Sequence, residues 1–382
     1  MQRTSGPVRP ASAVAVLGQT LWLDYIHRDL LDSGELRRLI EQDGIRGVTS
    51  NPTIFEQAIA GSLAYDASIA DLARAGKDAR AVYEALAVED VTRAADAFRP
   101  IFEMTGGNDG FVSLEVAPDL AGDADGTVAE ARRLWAAVGR PNLMVKVPAT
   151  PESLPAVTRL LADGINVNVT LLFAVDTYRR VIEAYFSGLE RRDAEGGRLE
   201  GVRSVASFFV SRVDSEVDAR LDALARAAAD DASRSALRGL KGKAAVANAA
   251  VAYQAYVDGF SATRFRALMA KGARVQRPLW ASTSTKNPEY PDTLYVDRLI
   301  GPDTVNTLPP ATLRAFQDHG RVVRTIDADV DGARRCLADV EAAGIRLSDV
   351  TDHLLADGVK RFADSYRSLL AAIEAKRERA LR

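Results

Sequence analysis

Short apolar runs alternate along the chain with longer segments of a different period. The runs are TLWLDY (20–25), GVTSN (47–51), FVSLEV (111–116), LMVKVP (143–148), INVNVTLLF (165–173), SVASFFV (204–210), RPLWAST (277–283) and DTVNTLP (303–309). Their length and bounding turn residues predict eight β-strands. Between them lie SGELRRLIEQDG, DGTVAEARRLWAAVG and SLPAVTRLLADG, with apolar residues at three- and four-residue spacing and glycine at the end. These are helices with C-terminal stops. Strands alternating with helices predict a parallel sheet. A closed (β/α)8 TIM barrel is the leading form and a doubly wound open sheet the rival. No GxGxxG follows the first run, which weakens the rival.

Two connections are long. Residues 52–110 hold at least two helices, and residues 213–276 are Ala-rich and helical. Residues 331–382 read as a C-terminal helical extension ending in LLAAIEAKRERALR. Residues 1–15 read as a flexible N-terminal arm rather than a signal peptide, because ASAVAVLG is short and lacks a good cleavage pattern. Residues 16–382 then form one barrel domain with helical insertions, without internal repeats or a low-complexity linker.

Composition narrows this picture. The chain has 382 residues, 47% hydrophobic, enough for a large core. A net charge of -3 suggests neither a nucleic-acid partner nor a membrane surface. The single cysteine, Cys336, rules out a disulfide framework within the chain and fits a reducing cytoplasm. No run approaches the length of a membrane span.

The polar residues on the strands raise the chemical question. Side chains alternate along a strand. One face therefore carries Asp24 with Thr20 and Trp22, Thr49 with Asn51, Glu115 with Ser113, and Lys146 with Met144 and Pro148. Asn166, Asn168 and Thr170 share the fifth, and Ser207 and Phe209 the sixth. A lone lysine near a strand end is usually solvated or structural. A barrel interior, however, is ordinarily Val, Ile and Leu, and this many buried polar groups are costly without a purpose. Barrel active sites lie at the C-terminal ends of the strands. A buried lysine loses its proton more readily, and a neutral amine attacks a carbonyl to form a Schiff base. The iminium is an electron sink that lets a ketose C3–C4 bond break. Asp24 could act as base for the C4 hydroxyl, and Glu115, through a water held by Thr170, could move the protons of imine formation and hydrolysis.

In TSNPTIF (49–55), VSLEV (112–116), LMVKVPAT (143–150), INVNVTLLF (165–173) and ASFFVSRVD (206–214), the chain resembles the transaldolases, from about residue 16 to 320. The motifs are specific in combination and weak singly. The resemblance implies a (β/α)8 barrel with the Schiff-base lysine at Lys146, the acid/base at Asp24 and the third-strand glutamate at Glu115. It assigns Asn51, Asn168, Thr170, Ser207 and Arg212 to the same site, and Thr49, on the face of Asn51, is expected to line it with them. Two departures stand out. Strand six reads SFFVSR where shorter members have SPFVGR, with Arg212 keeping its spacing from Ser207. After strand seven the chain has ASTSTKNP, so Ser282 and Lys286 take the place of a serine and a phosphate-binding arginine. The related fructose 6-phosphate aldolases carry tyrosine at the place matching Phe209 and glutamine in place of Glu115.

The implied reaction moves a dihydroxyacetone unit from sedoheptulose 7-phosphate or fructose 6-phosphate to glyceraldehyde 3-phosphate or erythrose 4-phosphate. It needs no cofactor or metal, and a monomer or homodimer would serve. A Schiff-base lyase is the first alternative and a non-catalytic sugar-phosphate binder the second; Asp24, Glu115 and Lys146 together argue against the binder. Other signals are set aside. NVT (168–170) lies in a buried strand, GLKGKAAV (239–246) lacks P-loop spacing, and His27, His319 and His353 are scattered. MTGGNDG (104–110) reads as a flexible turn, and the tail as a solvated helix end that could act as a partial lid.

Overall fold

The computed structural model describes residues 10–382, and all eight predicted strands are present in it. They are β1 (Gln19–Asp24), β2 (Gly47–Thr49), β3 (Phe111–Glu115), β4 (Leu143–Pro148), β5 (Val167–Leu172), β6 (Ser204–Phe209), β7 (Gln276–Ala281) and β8 (Thr304–Leu308). Each pairs in parallel with the next, and β8 returns to β1 from Gln19↔Thr304 to Leu23↔Leu308. The sheet is therefore a closed barrel, and the open-sheet rival is excluded. Alternation sends Leu21, Leu23, Val145 and Val147 outward against the helices and leaves the polar set inside. Gly47 has to be glycine: a Cβ there would lie 2.6 Å from the Trp22 ring and 2.8 Å from the Phe111 carbonyl.

The long connections are helical, as expected. Residues 52–110 form Pro52–Ala60, Asp66–Arg74 and Ala79–Met104, and the second insertion includes Ser211–Ala227 and Ala244–Ser261. The extension forms Val330–Ala342 and the 35-residue helix Leu347–Leu381. This last helix crosses the barrel mouth with its middle rather than its end. Phe362 borders the cavity, Thr53 and Ser365 share a 2.9 Å hydrogen bond, and Gly358 packs on Leu171. Its end, read as solvated, is instead tied down where Lys376 reaches Asp66 and the Ser62 carbonyl, both at 2.6 Å.

Two expectations are corrected. Residues 1–9 lie outside the described residues, but the rest of the expected arm is the helix Pro10–Val16. It buries Ala11 and Val14 against β1 and Pro310–His319, so this short apolar patch docks on a ready-made surface. MTGGNDG is no loose turn. It plugs the lower end of the barrel: Arg203 donates to the carbonyls of Gly106 and Gly107, and Arg277 to the Asn108 carbonyl and Asp109. Asp109 also accepts from Thr20 at 3.0 Å and the Trp22 indole at 3.2 Å.

Candidate active site

The register sets the polar residues at one level. Asp24 lies beside Thr49, Glu115 beside Lys146, Lys146 beside Asn168 and Pro148 beside Thr170. All stand at the C-terminal ends of their strands, under the mouth. β5 is bulged there: Val169 is opposite Ala206 but Leu172 is opposite Phe208. Leu171 adopts φ 60°, a left-handed conformation that costs a side-chain-bearing residue roughly 1–2 kcal/mol. Ser282, just after β7, is left-handed too at φ 54°. Strain of this kind persists only where packing enforces it, and it collects at functional sites.

Lys146 is 4% exposed; its Nζ donates to the Ser50 carbonyl at 2.8 Å and lies 3.3 Å from Glu115 Oε2. The latter is an ion pair rather than an aligned hydrogen bond, since Oε2 has no hydrogen-bond partner. Thr49 donates to Asp24 at 2.7 Å and meets Thr307 at 2.6 Å. Burial raises the Asp24 carboxyl above its ordinary value, against the Thr49 hydroxyl and the charges of Lys146, Lys286 and Arg212, which pull it down. Burial likewise raises Glu115, opposed by Lys146. Lys286 is lowered by burial and by Arg212, and Arg212 by burial and by Arg361. Two carboxylates and three basic side chains thus meet around one cup, with Lys286 at its exposed rim.

Ten of the twelve predicted residues border one cavity of about 350 Å³: Asp24, Thr49, Asn51, Lys146, Thr170, Ser207, Phe209, Arg212, Ser282 and Lys286. Glu115 sits beside it through Lys146, and Asn168 through Ser207. Asn168 accepts from Ser207 at 2.6 Å and donates to Ser113 at 3.1 Å, so both ends of its amide are engaged. Asn51 caps Pro52–Ala60, its oxygen taking the Ile54 N–H at 3.0 Å, which leaves its NH2 for a ligand. Thr170 Oγ1 is buried without a protein partner, as is Arg212 Nη1. The Arg212 guanidinium lies 5.4 Å from the Phe209 ring centre. Sequence reasoning missed Thr307, Ser284 and Phe362, which also border the cavity. Period-two alternation in DTVNTLP carried the signal for Thr307; nothing local carries one for Phe362.

At the mouth of a closed barrel the site thus gathers a buried lysine, a carboxylate paired to it and a second carboxylate in its field. The family profile described as Transaldolase/Fructose-6-phosphate aldolase matches residues 21–373. The chain is similar to the transaldolase of Thermobifida fusca, 50% identical over 94% of this chain and 96% of that protein. It resembles the transaldolase of Acidothermus cellulolyticus at 49% over 98% of each, and that of Trichodesmium erythraeum at 46% over 94% and 95%. The chain belongs to this family and its activity is that of a transaldolase, a transferase.

Proposed function

We propose that Lys146 carries the transferred unit as a Schiff base. Its neutral amine attacks C2 of the ketose phosphate and water leaves. Asp24 then takes the C4 hydroxyl proton as C3–C4 breaks; its raised carboxyl makes it a better acceptor for that proton. An aldose phosphate departs and a three-carbon enamine stays on Lys146. The acceptor aldehyde bonds to it by the reverse steps, and Glu115, with a water held by Thr170, serves imine formation and hydrolysis. Arg212, Lys286 and Ser282 take the phosphate at the rim, Arg212 as a fork and Lys286 as a point charge. Asn51 orients sugar hydroxyls by its NH2. The donors are sedoheptulose 7-phosphate or fructose 6-phosphate and the acceptors glyceraldehyde 3-phosphate or erythrose 4-phosphate, the exchange of the non-oxidative pentose phosphate pathway. The half-buried free thiol of Cys336 accords with a cytoplasmic setting.

The observation that carries this reading is the buried Lys146, paired to Glu115 beside the cavity, which shares with Asp24 a cavity the size of a sugar phosphate. The test is borohydride trapping with fructose 6-phosphate. A reduced adduct on the peptide containing Lys146, absent in Lys146→Ala, is expected; an adduct of undiminished yield in the variant would move the imine elsewhere.

The family name covers release as well as transfer, and one residue favours transfer. The enamine must be kept from protonation until an aldehyde arrives. Phe209 borders the cavity with a ring that has no proton to give, packed at 5.2 Å on Phe173. The phenol at the rim, Tyr25, follows the end of β1 and stacks on the His27 ring at 6.2 Å. Free dihydroxyacetone should therefore form slowly from fructose 6-phosphate alone, and Phe209→Tyr should speed it. Rapid release by the unmodified enzyme without acceptor would mean a lyase.

A further inference from the structure

Lys286 stands in the stretch that joins β7 to the short helix Leu294–Asp297, and it is exposed. A lysine is a compact charge on a flexible stem, with about 2 kcal/mol of rotamer entropy to lose. Its grip on an anion therefore depends on where the backbone holds its Cα. The structure fastens that stretch on both sides of Lys286. Before it, the Ser211 N–H donates to the Ser282 carbonyl at 3.0 Å, the Ser211 and Ser282 hydroxyls meet at 3.1 Å, and Thr283 donates to the Thr307 carbonyl at 3.1 Å. After it the chain folds back on itself. The Tyr290 N–H donates to the Asn287 carbonyl at 3.1 Å, the Glu289 N–H to Asn287 Oδ1 at 2.9 Å, and the Thr285 hydroxyl to the Pro291 carbonyl at 2.8 Å.

The far side is anchored to the helix Ser211–Ala227, which carries Arg212 in its first turn. Two buried aspartates, four residues apart on that helix, hold it in the same way. Asp218 accepts the Gly242 N–H at 3.0 Å with one oxygen and the Tyr290 hydroxyl at 2.6 Å with the other. Asp214 accepts the Ala245 N–H at 2.7 Å and the Tyr295 hydroxyl at 2.8 Å. The Tyr290 ring lies so close on Gly242 that a Cβ there would stand 2.7 Å from Tyr290 Cζ. Neither Asp218 nor Tyr290 borders the mouth cavity.

We propose that Asp218 and Tyr290 are positioning residues that set Lys286 against Arg212 and so help fix the preference for phosphorylated sugars. One helix then places both basic side chains of the rim, Arg212 directly and Lys286 through the Asp218–Tyr290 bond. A phosphate is the part of the substrate that gains from two cations at a set spacing. The carbonyl and hydroxyls of the sugar meet groups such as Lys146 and Asp24 on strands that this bond does not reach, so their chemistry is left alone.

The proposal rests on Lys286 as a phosphate group, and the test separates the two. Turnover is measured at saturating fructose 6-phosphate with glyceraldehyde 3-phosphate or with glyceraldehyde as acceptor. Tyr290→Phe removes the hydroxyl and keeps the ring; Asp218→Ala removes the acceptor. Each should raise KM for glyceraldehyde 3-phosphate about fivefold, the scale of one lost hydrogen bond, with kcat held and glyceraldehyde unaffected. Lys286→Ala should raise the same KM about tenfold. Added to Lys286→Ala, Tyr290→Phe should change KM no further, because it acts only through the lysine. Unchanged KM in both single variants, equal losses with both acceptors, or factors that multiply in the double variant would overturn the proposal. If Lys286→Ala itself treats the two acceptors alike, the phosphate reading of Lys286 falls instead.

Discussion

The two ends of the barrel bury charge in opposite ways. At the lower end, among the described residues, the buried charges are answered, although the neutral amide oxygens of Gln19 and Gln276 are not. Arg277 donates to Asp109, Thr20 and the carbonyls of Asn108 and Thr304; Arg203 donates to four carbonyls. At the mouth the groups are left short: among the described residues Glu115 Oε2, Thr170 Oγ1 and Arg212 Nη1 have no hydrogen-bond partner, and Asp24 relies on a single threonine. Satisfied networks stabilise, whereas half-satisfied ones are a cost that structure tolerates only where a ligand completes them. The same barrel thus holds one charged cluster that supports the fold and another that the fold has to support.

Substitutions at the two ends should therefore act in opposite directions. The largest effect is expected at the mouth. Asp24→Asn should slow C–C cleavage by about 10²- to 10⁴-fold in single turnover while imine trapping persists. It should also raise stability by roughly 0.5–2 kcal/mol near neutral pH, since it removes a half-buried carboxylate with one hydroxyl partner. The sign with pH follows from the raised carboxyl. The folded state holds the Asp24 proton more tightly than the unfolded chain, whose value is near 3.8, so ionisation costs stability as pH rises through the folded value. The gain in Asn should vanish below about pH 3.8 and grow above it. A loss of stability at pH 7 would break the comparison.

Next in size is the lower end. Asp109→Ala leaves Arg277 buried without its carboxylate, and should cost about 3–5 kcal/mol in urea unfolding with turnover per folded molecule retained. Smaller again is Arg212→Ala, expected to weaken phosphorylated acceptors by roughly 1.5–3 kcal/mol in kcat/KM and unphosphorylated ones little. Equal losses for both acceptor types would remove Arg212 from phosphate binding. Lys286→Ala should follow the same pattern more mildly, a point charge replacing less than a fork.

The mouth was largely legible in the sequence and the lower end was not, for a physical reason. Asp24, Glu115, Lys146 and Thr170 sit late in strands whose period-two pattern fixes which way they face, so local pattern sufficed to bring them together. The lower plug depends on Arg203 and Arg277 reaching Gly106–Asp109, some 96 and 168 residues away along the chain. A glycine-rich stretch gives no hint that distant guanidinium groups will order its carbonyls. The helix Pro10–Val16 and the Phe362 contact share that origin: each is decided by the surface it meets.

The helix Leu347–Leu381 gives the molecule an order of events during its own synthesis. It is translated after all eight strands, so a ribosome-bound chain can close the barrel while the wall that carries Phe362 is still unmade. Until it arrives, the cup around Lys146 is open to water, and Leu171 lacks the neighbour at Gly358 that packs on its strained turn. The reactive amine is assembled early and sheltered late, and a nascent barrel should bind sugars before it can protect an enamine.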